Sequence, residues 1–256
     1  MKIRTFEVCA GYDSQLMALE RLKKNHSDFD YECIGWSEIE PSAIALHNAC
    51  FPSLSGKNFG DMTKIDWSKV KDFDLLTYST PCQSVSQAGK QKGIEEGSNT
   101  RSSILWFTRN AIITKRPKYL LMENVEALVQ TKFIGFFNKW RKELESYGYV
   151  NYAKVINAAD CGVPQNRKRV FMLSIRNDGD KMDYHFPRKT KLEKHLVDVL
   201  EENVDEKYFF SDDLLCKEKF VSNEWKEPMS AAIRTRSEGK WIKGEKHSPK
   251  VELGKN

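Results

Sequence analysis

The stretch 75-LLTYSTPCQSVSQAGKQKG-93 decides how the chain is read. Its apolar start predicts a short buried strand, which stops abruptly at Thr80-Pro81-Cys82-Gln83 before a polar loop punctuated by Gly89 and Gly93. A structural cysteine packs as a small hydrophobe inside an apolar run. Cys82 instead sits at the rim, where a thiolate could meet a substrate.

Outward from this strand, strand-like and helix-like segments alternate. "TFEVCAG" (5–11) reads as a first strand and "SQLMALERLKK" (14–24) as a helix, with Leu16, Leu19 and Leu22 at spacings of three and Ser14 as its N-cap. "YECIGWSEI" (31–39) is a second strand, and Pro41 opens a helix over "SAIALHNACF". A helix over "RSSILWFTRNAII" (101–113) leads to the strand "KYLLMENV" (118–125). The helix "FIGFFNKWRKELESYG" ends at Gly148, and "YAKVINAAD" and "RVFMLSIR" close the pattern as strands. The expected fold is α/β, a doubly wound and mostly parallel sheet, in which ligands bind at the carboxyl ends of the strands. Cys82, Glu38 and Glu123 fall at those ends.

The alternation dissolves near Pro187, which predicts one domain over 1–186 and a second region over 187–256. A charged content of 30% beside 40% hydrophobic residues is that of a globular protein, and no apolar run is long enough to span a membrane. "MKIRTFEVCAGYDS" lacks the apolar stretch of a secretory signal, so a cytoplasmic location is expected. The six cysteines include no C-x-x-C pair, which argues against a structural zinc, and no metal site is expected. A net charge of +5 permits a polyanionic partner without demonstrating one. From Arg234 to Lys255, seven Lys/Arg face three Asp/Glu, so the tail is locally basic.

"CAGYDS" supplies Gly11 after the first strand instead of a full G-x-G-x-x-G. Glu38 stands where a carboxylate can accept from ribose hydroxyls, and Asp61 could accept from an adenine amino group. Together they describe a nucleoside site without a phosphate loop, which suits S-adenosyl-L-methionine better than a dinucleotide. A thiolate at Cys82 with a carboxyl group at Glu123 suggests covalent activation of a heterocyclic base. In "QNRKR", Gln165, Arg167 and Arg169 alternate before an apolar strand, and period two would send all three to one face.

In order and spacing these pieces resemble the cytosine-C5 DNA methyltransferases of bacterial or phage type. "CAGYDS" takes the place of the family's F-A-G-x-G-G motif, "GWSEIE" of the ribose-binding acidic motif and "GDMT" of the adenine-binding motif. "PCQSVSQAGKQKG" resembles the catalytic Pro-Cys-Gln loop, "TRSSIL" the following helix start, "ENV" the Glu-Asn-Val motif and "QNRKR" the Q-x-R-x-R motif. The resemblance runs from about residue 4 to 175. It implies that Cys82 attacks C6 of a cytosine flipped out of double-stranded DNA, that Glu123 holds N3 and the exocyclic amine, and that Arg169 and Arg167 contact cytosine O2 and the backbone. It further implies that Gly11, Tyr12, Asp13, Glu38, Ile39, Asp61, Met62, Pro81 and Ile104 line the S-adenosyl-L-methionine site. The loop from Gln83 to Asn99 would close over the flipped base.

Two departures stand out. Cys9, Asp13 and Ser14 replace the family's phenylalanine and two further glycines, which removes an aromatic contact to adenine. No Gly-Asn-Ser follows, and 227–256 reads as the start of an incomplete target-recognition region. A split enzyme completed by a second polypeptide, a truncation and a divergent short enzyme are all compatible with this, and weak activity of the chain alone is expected. Methylation of RNA by the same chemistry and a non-catalytic subunit are the competing readings. A nicotinamide-dependent oxidoreductase is disfavoured by the missing glycine fingerprint.

Overall fold

The computed structural model describes residues 2–82, 96–97, 101–178, 183–202 and 204–205. These fall into two compact units, one within Met1–Asn157 and Lys168–Arg188, the other within Ala158–Arg167 and Lys189–Asn256.

The first unit is built on one six-stranded sheet. Its strands are β1 (Lys2–Val8), β2 (Asp30–Ser37), β3 (Leu75–Tyr78), β4 (Tyr119–Val125), β5 (Tyr149–Asn157) and β6 (Lys168–Arg176), in spatial order β2-β1-β3-β4-β6-β5. The pairs β1–β2, β1–β3 and β3–β4 are parallel, while β6 runs antiparallel to both of its neighbours. The mostly parallel, doubly wound sheet read from the sequence is therefore the one observed. Strand order reverses between β1 and β3, and such a reversal opens a crevice at the carboxyl edge.

The helices α1 (Ser14–Asn25), α2 (Pro41–Cys50), α3 (Thr108–Lys115) and α4 (Ile134–Ser146) form the crossovers. Register aligns Phe6 with Leu76 and Leu120, and Val8 with Tyr78 and Met122, so one continuous apolar row runs across three strands. Trp67, Phe73, Ile112, Phe137 and Trp140 pack with that row in the main core. Burying each large apolar side chain stabilises the fold by roughly 1.5–3 kcal/mol. A second cluster gathers Leu16, Leu19, Cys33 and Trp36 with Ile44 and Phe51, between the sheet and helices α1 and α2.

Two local readings differ from expectation. Asp13, not Ser14, caps α1: its carboxylate accepts from Leu16 N at 2.9 Å. The helix expected over 101–113 begins as a 3₁₀ segment, Arg101–Phe107, before α3. Packing decides here, since Trp106 is fixed edge-on against Trp140 at 5.6 Å. The β1–β2 register slips between Thr5 and Phe6, and Gly35 lies at the slip. A Cβ there would come within 2.5 Å of Phe59 and 2.8 Å of Phe6, so glycine is required.

Candidate active site

The carboxyl edge of β3 and β4 carries the reactive groups. Pro81 and Cys82 follow β3, are half-buried, and Cys82 is a free thiol. On β4, side chains alternate between faces. Glu123 lies on one face and pairs with Arg169, whose Nε stands 3.1 Å from Oε1, each side chain being a little over one fifth exposed. The reversed direction of β6 explains the pairing: Arg169 sits opposite Val125, diagonal to Glu123, although it opens its own strand. Arg169 Nη1 also donates to the Lys168 carbonyl at 2.8 Å.

Asn124 points to the other face and is buried. Its Nδ2 donates to the Thr80 carbonyl at 3.1 Å and its Oδ1 accepts from Val125 N at 2.9 Å. The end of β4 is thereby tied to the segment that delivers Cys82. Of the expected closing loop, only Glu96 and Gly97 fall within the described residues. Arg109 holds Glu96 at 2.6 Å and Lys139 holds it at 3.3 Å.

The crevice at the ends of β1 and β2 is a second cluster. Glu38 Oε2 accepts from Gly11 N at 2.9 Å, and Oε1 accepts from Ile39 N at 2.8 Å and Glu40 N at 3.0 Å. Three backbone donors thus fix this carboxylate in place. Asn58 binds the next loop to it: its Oδ1 accepts from Glu38 N and Gly60 N, and its Nδ2 donates to the Glu38 carbonyl. Asp61 Oδ1 accepts from Thr63 N and Oγ1, contacts that hold its carboxyl below the usual carboxylate range. Cys9 donates to Met62 Sδ at 3.5 Å, and burial, reinforced by Glu38 and Asp61, pushes its thiol up to about 12.

Gly11, Glu38, Asp61 and Met62 are therefore drawn to one place, with Tyr12 and Ile39 exposed beside them. Ile104 is half-buried against the main core. Asp13 is fully buried as a helix cap beneath the loop. Alternation does not carry Gln165, Arg167 and Arg169 to one face, because the strand begins at Lys168. Tight turns precede it, from Gln165 N to Val163 O and from Arg167 N to Gln165 O, and Arg167 belongs to the second unit. Asn58, Asn124 and His47 went unassigned in the sequence. Asn124 was within reach as the middle of "ENV", whereas Asn58 offered only its place before the "GDMT" loop.

Among the described residues, no group of three or more His, Cys, Asp or Glu side chains could hold a metal, and no helix is long and apolar enough to cross a membrane.

The fold is one shared with solved methyltransferases. The Entamoeba histolytica methyltransferase EhMeth superposes with a TM-score of 0.68 at 18% identity, over 86% of this chain and 67% of that one. The S. pombe Dnmt2 methyltransferase does so with a TM-score of 0.61 at 19% identity, over 84% and 65%. Sequence narrows the class to a family. The model of C-5 cytosine-specific DNA methylases matches residues 3–255. The Type II methyltransferase M2.ScrFI of Lactococcus lactis subsp. cremoris is 36% identical, over 88% of this chain and 77% of its own length. The orphan methyltransferase M.SssI of Spiroplasma monobiae is 35% identical, over 80% and 67%. The chain belongs to the C-5 cytosine-specific DNA methylase family.

Proposed function

We propose that the chain transfers a methyl group from S-adenosyl-L-methionine to C5 of a cytosine flipped out of duplex DNA, through a covalent bond between Cys82 and C6. The observation that carries this reading is the pairing of Glu123 with Arg169 on an edge joined by Asn124 to the Cys82 segment.

The residues of the β1–β2 crevice fit the cofactor. A Cβ on Gly11 would meet nothing within 4 Å, so the loop has open space at that point. Ile39 beside it is apolar yet 66% exposed, a surface suited to a flat heterocycle. Glu38 Oε1 is filled by its two backbone donors, while Oε2, which accepts only from Gly11 N, keeps a lone pair for a ribose hydroxyl, and Asp61 Oδ2 can accept from an amino group. Gly11, Tyr12, Glu38, Ile39, Asp61 and Met62 would hold the adenosyl part, with Pro81 and Ile104 completing the wall and Asp13 acting from below. The bound cofactor supplies an electrophilic methyl group on a sulfonium.

In the proposed reaction Cys82 adds as thiolate to C6 while Glu123 donates to N3 and accepts from the exocyclic amine. Negative charge from the attack is then absorbed at N3, and C5 becomes nucleophilic. Arg169 shares Glu123 until substrate arrives and then faces cytosine O2, with Arg167 contacting the backbone. After methylation the C5 proton leaves to a base, the C5–C6 double bond re-forms, and the Cys82 thiolate departs. We read 1–186 as the catalytic and cofactor-binding region and 187–256 as part of the target-recognition region.

The test is transfer of labelled methyl to mixed-sequence duplex DNA by the full chain, beside Cys82→Ser and with tRNA as a competing acceptor. Label in 5-methylcytosine that depends on Cys82 supports the reading. Duplex containing 5-fluorocytosine should trap a denaturation-resistant adduct, because no proton remains at C5 to be lost. Label confined to tRNA, or transfer unaffected by Cys82→Ser, overturns it.

A further inference from the structure

We propose that Asp13 and His47 form a buried latch that fixes the Gly11 loop against α2, making His47 a positioning residue for the S-adenosyl-L-methionine site. This inference rests on the cofactor reading of the β1–β2 crevice given above.

Asp13 adopts φ +66°, a left-handed conformation that ordinary side chains avoid. Something must hold it there. Its Oδ1 caps α1, while its Oδ2 faces His47 Nε2 at 3.5 Å, and both side chains are wholly buried. His47 lies in the last turn of α2, stacked on Trp36 with ring centroids 3.6 Å apart and planes 17° apart. Among the described residues neither of its ring nitrogens makes a hydrogen bond, and neither does Asp13 Oδ2, so the two unpartnered buried groups face each other.

The neighbouring titratable groups do not compete for this contact. Glu7 on β1 is buried beside Asp13, and burial followed by the Asp13 charge pushes its carboxyl well above the usual range. On β2, burial pushes the Cys33 thiol up to about 12 and also raises the Tyr31 phenol, keeping both neutral. Lys57 donates to the Cys33 carbonyl at 2.6 Å and is engaged there. A buried carboxylate oxygen left without a partner is strongly disfavoured, so the side chains of Asp13 and His47 hold one another in place.

The geometry gives the pair its use. Asp13 ends the loop that carries Gly11, and His47 stands on the helix that follows Glu38. Gly11 N binds Glu38 Oε2 at the crevice, and the buried pair joins the same two segments one layer below. Loosening the lower contact would let Gly11 drift from Glu38, where the cofactor's ribose would bind.

The experiment is titration calorimetry of S-adenosyl-L-methionine with the full chain, together with steady-state kinetics. The variants are His47→Phe, which keeps the stack on Trp36, His47→Gln, which can still donate to Asp13, and Asp13→Gly, which suits φ +66°. His47→Phe and Asp13→Gly should each weaken binding about tenfold, or about 1.4 kcal/mol. The double variant should be no worse than the poorer single one, and His47→Gln should recover most of the loss. At saturating cofactor, His47→Phe should keep kcat within about twofold, so the change lies in KM. Equal affinity of wild type and His47→Phe, or strictly multiplicative effects in the double variant, would overturn the latch alone. If His47→Phe does not fold, an affinity of Asp13→Gly equal to that of wild type overturns it. A wild-type chain that binds no cofactor overturns the cofactor reading and the latch with it.

Discussion

Asn124 reaches from the end of β4 to the Thr80 carbonyl, two residues before Cys82, and both groups are buried. The central residue of "ENV" therefore governs where the thiol stands relative to Glu123, its own neighbour in the chain. One strand end carries the Glu123 carboxylate, and the same strand end braces the Cys82 segment.

Replacing Asn124 by Ala leaves the Thr80 carbonyl buried without that donor, a loss of about 1–3 kcal/mol in stability. Single-turnover methyl transfer should slow by about 10- to 100-fold, as expected for a small misplacement of reacting groups. Cofactor affinity by calorimetry should fall less than the rate, since Pro81 is the one residue of the proposed cofactor wall next to this contact. Equal slowing and weakening would mean that Asn124 supports the whole edge instead of the Cys82 segment.

Glu123→Gln keeps the shape of the side chain and removes its acid function. Methyl transfer should fall by about 10²- to 10⁴-fold, the range for a lost acid or base. Arg169→Lys keeps the charge but not the planar fork, and its rate should lie between wild type and Arg169→Ala. Rates for Glu123→Gln within twofold of wild type would remove Glu123 from the chemistry.

The fold was legible because buried parallel strands read as short apolar runs and the crossover helices carry apolar residues at spacings of three. The reversed strand β6 gave no such sign. Its apolar run looks the same in either direction, yet its reversal is what carries Arg169 to the carboxyl edge. The places of Cys82, Glu38 and Glu123 at strand ends were legible because each interrupts or ends an apolar run. His47 was not, since a single histidine on a helix gives no hint of which face is buried. Asp13 was expected to line the cofactor site, and nothing local shows that its side chain turns inward to cap α1. The alternation inferred for Gln165 and Arg167 failed for a related reason, the turns that end only where Lys168 begins the strand.

Gly11 has φ +59° and open space where a Cβ would stand. Gly11→Ala should therefore fold, with a loss of about 1 kcal/mol for the left-handed backbone. Its methyl group would enter the space that the cofactor needs. Affinity for S-adenosyl-L-methionine should drop more than about tenfold, equivalent to more than about 1.4 kcal/mol. A variant that melts about 1 kcal/mol lower and binds normally would show that the cofactor does not approach this loop.

Glu7 makes the stability of the protein depend on pH in a direction opposite to that of a paired surface carboxylate. Burial, and then the charge of Asp13, raise its folded-state pKa well above the ordinary value of 4.5. Between those two values the folded chain holds a proton that the unfolded chain has given up, so stability falls as pH rises. The contribution is complete below the ordinary value and is gone once the pH has passed the folded one. Glu7→Gln fills the same space without a proton to lose. Its melting temperature relative to wild type should climb steadily from about pH 5 to about pH 8, and at the upper end the variant should be the more stable protein. A constant or shrinking difference over that range would mean that Glu7 is ionised in the fold, answered by a positive charge in the Asp13–His47 layer beneath the cofactor loop.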